Sequence, residues 1–78
     1  MRVVHAVRSD GYAGVEAHVA RLARAQAAAG HDVVVVGGAP RTGETAGPAV
    51  SHREAASTAD VVRGLRATAT GADVLHVH

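Results

Sequence analysis

The chain has 78 residues, no cysteine and a formal net charge of +1 from eight basic and seven acidic residues. Near-balanced charge leaves no basic face for nucleic acid, and the lack of cysteine excludes disulfides and thiolate metal sites. Hydrophobic residues make up 47% but Tyr12 is the only aromatic, so Val and Ala dominate and predict one small, thin-cored domain of marginal stability.

Residues 2–7, RVVHAV, are Val-rich without clean alternation, the pattern of a central parallel strand covered on both faces. The run is broken by His5 and ends at Arg8 and Asp10, so neither a signal peptide nor a membrane span is expected. A cytoplasmic chain, one able to work at a membrane surface, is the expectation.

Residues 8–19, RSDGYAGVEAHV, read as the strand-to-helix turn around which the chain is organised. Gly11 and Gly14 permit backbone conformations closed to other residues, and Glu16 falls in the first helical turn, where a carboxylate suits the dipole. In parallel α/β proteins such a turn presents free N–H groups and the positive helix end, favouring an anionic or hydroxyl-rich ligand. Tyr12 can stack on a sugar ring or a base, or be an ordinary surface residue.

Val15, Val19 and Leu22 then recur at helical spacing with Ala23 beside them, giving a helix over 15–29 that Gly30 stops. Gln26 falls in the middle of that apolar stripe, where its amide needs a partner. The β-branched run at 33–36 predicts a second buried strand, joined to the first by a right-handed crossover.

Residues 37–48, GGAPRTGETAGP, lack periodicity and bulky apolar side chains and are expected to form an exposed loop. Residues 49–53, with Val50 and His52 alternating, predict a short edge strand. Ser57 or Thr58 can cap a second helix, with Val61, Val62, Leu65 and Ala69 as its buried face and Gly71 as its stop. Gly64 inside it costs roughly 1 kcal/mol relative to Ala, which points to fraying or to a close packing contact. DVLHVH, 73–78, closes the chain as a fourth strand.

Handedness gives the strand order 3-2-1-4 with one helix on each face, a Rossmann-like, partial doubly wound parallel sheet. The fourth strand lies on an edge with no polar device to protect it. The expectation is the first half of a larger doubly wound domain.

Two phosphate motifs fail. Gly11-Tyr12-Ala13-Gly14 supplies only two glycines of a dinucleotide fingerprint, and Gly37 and Gly38 stand where a ribose-binding acid belongs. GAPRTGET has P-loop glycine spacing, but Glu44 replaces the lysine and would repel phosphate. Among six histidines, His76 and His78 are two apart and share a strand face, as two ligands of one metal would. No third ligand is placed by spacing, so polar residues at a strand end near a cleft are the favoured reading and no metal is expected. His5 reads as a satisfied interior or cleft-facing side chain, His18 as an exposed helix residue and His31 as a turn residue. No nucleophile with an adjacent base can be assigned.

Taken together, RVVHAV, AGVEAHVARLARA (13–25), AAAGHDVVVVGG (27–38) and ADVLHVH (72–78) resemble the amino-terminal domain of the family 4 retaining glycosyltransferases. These enzymes have the GT-B architecture of two facing Rossmann-like domains. The resemblance implies transfer of a sugar from a nucleotide-sugar donor to an acceptor hydroxyl on a glycan, lipid or small molecule, with retention, no further cofactor and no obligatory metal. It places the turn after strand one in the interdomain cleft. Gly14, with Gly11 and Tyr12 nearby, would approach the substrate, Glu16 would order the turn, and His76 and His78 would face the acceptor side.

The chain departs from the family at Ala13, where a second glycine is usual, and at Ala17, Gln26 and Ala29. The donor-binding carboxy-terminal domain is absent from these residues, so residues 1–78 by themselves are expected to be inactive. Two other classes stay open: a non-catalytic assembly module that pairs its sheet edge with a partner chain, and a nucleotide-binding Rossmann-like protein of another chemistry.

Overall fold

The computed structural model describes residues 1–7, 14–38, 40–53, 58–68 and 71–78. Strands β1 (Arg2–Val7), β2 (Asp32–Gly37), β3 (Ser51–Arg53) and β4 (Val74–Val77) alternate with helices α1 (Gly14–Ala28), α2 (Pro40–Ala46) and α3 (Thr58–Thr68). The four strands form one all-parallel sheet in the order β3-β2-β1-β4. This is the expected small α/β, Rossmann-like arrangement.

The absence of alternation in β1 and β2 has a direct cause. Val3, Val7, Val33 and Val35 point to one face and pack with Val19, Ala20 and Ala23 of α1. Val4, Val34 and Val36 point to the other, against Val61 and Ala72. With both faces covered, every second position of a polar-apolar pattern is lost. The core contains no Phe, Trp or Tyr among the described residues, and its side chains are almost all Val and Ala.

Helix α1 ends in a Schellman motif: Gly30 N–H donates to Ala27 O at 3.0 Å and His31 N–H to Gln26 O at 3.1 Å. The start of β4 is tied to β1 by Asp73, whose backbone N–H donates to Arg2 O at 2.9 Å while its Oδ2 accepts from Arg2 N–H at 2.8 Å.

Several expectations are corrected. Within 37–48, residues Pro40–Ala46 form α2 rather than an exposed loop. Proline suits the first helical position, and Thr42 and Ala46, four residues apart, are both buried. A two-turn helix with such small side chains leaves almost no hydrophobic period to detect. Because α2 packs on α1 and Ala46 joins the α1-side core, that face carries two helices instead of one. The edge strand β3 is also shorter than 49–53, although Val50 just before it is buried in the same core.

On the opposite face, Val62 is 45% exposed rather than buried. The contact is carried by Val61 and, three residues on, by Gly64, where an added Cβ would lie 2.7 Å from Val36 Cγ1. Close packing is therefore the reason for a glycine within α3. Ser57 and Ala69 lie outside the described residues.

This contact makes a prediction of sign. Gly64→Ala gains about 1 kcal/mol of helix propensity but forces an overlap worth about 1–3 kcal/mol, so the melting temperature falls. In a Val36→Ala background the obstructing methyl is gone and the same substitution raises it. A double-mutant cycle by thermal denaturation reads the reversal; destabilisation of equal size in both backgrounds would contradict the packing argument.

Candidate functional site

The register of β1 against β4 decides which polar side chains meet. His5 pairs with His76, so both project from the α1 face, and His78 follows two residues later on the same side. The ring centroids lie 5.5 Å apart for His5 and His76, 5.3 Å for His5 and His78, and 5.9 Å for His76 and His78. One nitrogen from each ring falls within a set whose members are all within 4.8 Å of one another. His5 is fully buried, while His76 and His78 are exposed.

The buried imidazole is oriented from both ends. Gln26 Oε1 lies 2.7 Å from His5 Nε2, and His78 Nε2 lies 3.1 Å from His5 Nδ1. With the amide oxygen as acceptor, His5 Nε2 is the donor of this bond, and the tautomer it selects turns Nδ1 towards His78. This accounts for Gln26 in the apolar stripe of α1: it satisfies a histidine that the sheet has buried. His78 is held below its ordinary pKa first by partial desolvation, then by repulsion from His5, His76 and His18.

A second polar contact lies where α1 begins. Glu16, in the first turn of α1, is fully buried, and Thr42 Oγ1 of α2 donates to its Oε1 at 3.2 Å. Gly38, just after β2, has φ of +78°, and a Cβ there would come within 2.6 Å of Glu16 Oε1 and 2.8 Å of Thr42 Oγ1. Gly37 and Gly38 thus stand where a dinucleotide-binding protein has its ribose-binding acid because the chain must turn tightly and pass α2 across the first turn of α1. On the far side of α2, His52 Nε2 donates to Gly37 O at 2.8 Å.

Of the residues singled out from sequence, Gly14 begins α1 and Glu16 is withdrawn into the α1–α2 contact. His76 and His78 converge with His5. Gly11 and Tyr12 lie outside the described residues. Sequence spacing misses His5 as a member of this group, since β1 and β4 are brought together by strand pairing and not by proximity along the chain. Counting inward-facing positions from Val3, which is apolar and buried, places His5 on the α1 face; the pairing partner needed the register. Thr42 gives no signal in the sequence because its two-turn helix has almost no hydrophobic period.

The arrangement provides imidazoles that can accept or donate hydrogen bonds to a hydroxyl-rich ligand, or give lone pairs to a cation. No described helix is long and apolar enough to cross a membrane. Comparison with known protein families, with curated proteins and with solved structures finds no match for this chain.

Proposed function

We propose that the chain supplies the acceptor-side, amino-terminal part of a GT-B-type retaining glycosyltransferase similar to family 4. The observation that carries this reading is the placing of Gly14, at the start of the helix following β1, of His76, on the adjacent β4, and of His78, just past its end, in a parallel sheet of order 3-2-1-4. Open parallel α/β sheets bind ligands beyond the carboxyl ends of strands beside such a crossover. The four stretches that resemble the family fall on β1, on α1, on the α1–β2 junction and on β4.

In this reading the exposed imidazoles of His76 and His78 bind acceptor hydroxyls. The first turn of α1 approaches the anionic diphosphate of the donor, with backbone N–H groups as donors. Glu16 does not touch substrate; through Thr42 it fixes the helix end that does. The donor sugar is carried by a second domain, outside these residues, and residues 1–78 alone bind without transferring.

Combined with a donor-binding domain, the protein is expected to transfer sugar from a nucleotide sugar with the anomeric configuration retained. Gly14→Trp is expected to abolish that transfer by filling the approach to the first turn of α1. Full activity in this variant contradicts the reading, and tight NAD binding in place of nucleotide-sugar binding favours a Rossmann-like protein of other chemistry.

One observation favours a second reading. Leu75 and Val77 on edge strand β4 are 46% and 76% exposed, the condition for pairing with a partner chain. A concentration-dependent oligomer or a stable heterocomplex without sugar transfer is its signature.

A further inference from the structure

We propose that His5, His76 and His78 form a binding site for a divalent transition-metal ion, with Zn(II) as the reference occupant. The inference uses two imidazoles that the sugar-transfer reading gives to acceptor hydroxyls, but it does not require that reading, which implies no obligatory metal. Spacing along β4 and the residue after it offers only two imidazoles, His76 and His78; parallel pairing with β1 brings the third.

Metal–nitrogen distances of about 2.0–2.1 Å in a tetrahedral site place ligand nitrogens about 3.4 Å apart. His5 Nδ1 and His78 Nε2 are already 3.1 Å apart, and the full set lies within 4.8 Å. The two exposed rings, His76 and His78, are free of core packing and can close the remaining distance by side-chain rotation. His5, fully buried, is the fixed member.

The buried ring also has the support that metal-binding histidines use. Its Nε2–H is held by Gln26 Oε1 at 2.7 Å, which sets the tautomer and leaves the Nδ1 lone pair facing the other two rings. A polar side chain within the apolar stripe of α1 is thereby tied to the same three-ring group.

Three neutral nitrogen donors with no carboxylate in the set select Zn(II), Co(II), Ni(II) or Cu(II) over Mg(II) or Ca(II), which require oxygen ligands. Three protein ligands leave a fourth tetrahedral position for water or a ligand oxygen. Exposure of His76 and His78 puts that position on the solvent side of the sheet end.

The test titrates the chelator-treated full chain with Zn(II) by calorimetry, and with Co(II) by visible absorption. Wild type is expected to bind one equivalent and give a tetrahedral Co(II) spectrum. His76→Ala and His78→Ala remove exposed side chains, so circular dichroism stays native, and each is expected to weaken binding at least about 10–100-fold, the range known for losing even an outer-sphere partner. His31→Ala, outside the cluster, is expected to bind as wild type does. Absence of saturable one-to-one binding overturns the proposal, as does one-to-one binding that survives the combined His76→Ala and His78→Ala change.

Discussion

Gly37→Ala is expected to unfold the protein at ambient temperature. Gly37 pairs with Val7 at the end of the central β1–β2 ladder and has φ of +100°, and a Cβ there would overlap the carbonyl oxygen of Val7. The left-handed conformation alone costs a non-glycine residue about 1–2 kcal/mol. The overlap is with backbone, which no rotamer change relieves, so the total cost is about 4 kcal/mol or more. A chain of this length has roughly 4–12 kcal/mol of stability, and a thin Val and Ala core puts this one at the low end of that range, so the loss exhausts it.

Gly30→Ala isolates the two terms. Gly30 has a similar φ of +96° but nothing within 4 Å of a built Cβ, so only the conformational cost of about 1–2 kcal/mol applies. Thermal denaturation of both variants by circular dichroism is expected to show a modest drop for Gly30→Ala and no cooperative transition for Gly37→Ala. Equal melting temperatures would contradict the close β1–β2 approach.

Removal of the Glu16 carboxyl is the second large effect. Glu16→Ala leaves a cavity at the start of α1 and strands the buried Thr42 hydroxyl, which donates to Oε1. Cavity and unsatisfied donor together cost about 2–4 kcal/mol. Glu16→Gln keeps an acceptor oxygen in the same place and is expected to retain most of the stability. Urea denaturation separates the two variants. If Gln and Ala are equally destabilising, acceptance of the Thr42 bond is not what Glu16 supplies.

Both substitutions probe the segment that sequence reasoning read least well. The order of the strands and the two long helices follow from features with a strong period or a strong prior: Val runs at β1 and β2, the apolar stripe at Val19 and Leu22 (α1), and right-handed crossovers. Helix α2 carries neither signal, because a seven-residue helix whose buried side chains are Thr42 and Ala46 has no bulky apolar period. Its place is set by tertiary contacts, Thr42 with Glu16 and Gly43 against His52. The exposure of Val62 is a matter of phase: Val61 and Gly64 face the sheet, and the neighbour of Val61 points away.

The site was half legible. His76 and His78 share a face by the period of a strand, and their position at the end of β4 follows from the strand order. Their convergence with His5 depends on the offset of β4 against β1, which no local pattern encodes. Gln26 was recognisable as a polar residue needing a partner, and the partner proved to be that same His5. A misplaced polar residue and an interior histidine were each visible alone; the sheet makes them one contact.

The central claim, that ligands are recognised where α1 begins beside the end of β4, is most directly tested by nuclear magnetic resonance. Amide and imidazole signals of the isotope-labelled chain are followed during titration with a nucleotide sugar and, separately, with an acceptor glycoside. Saturable shifts at Gly14 with the first and at His76 and His78 with the second are the expected result. Shifts confined to β3 and α3, or none with either ligand while NAD gives them, would contradict it.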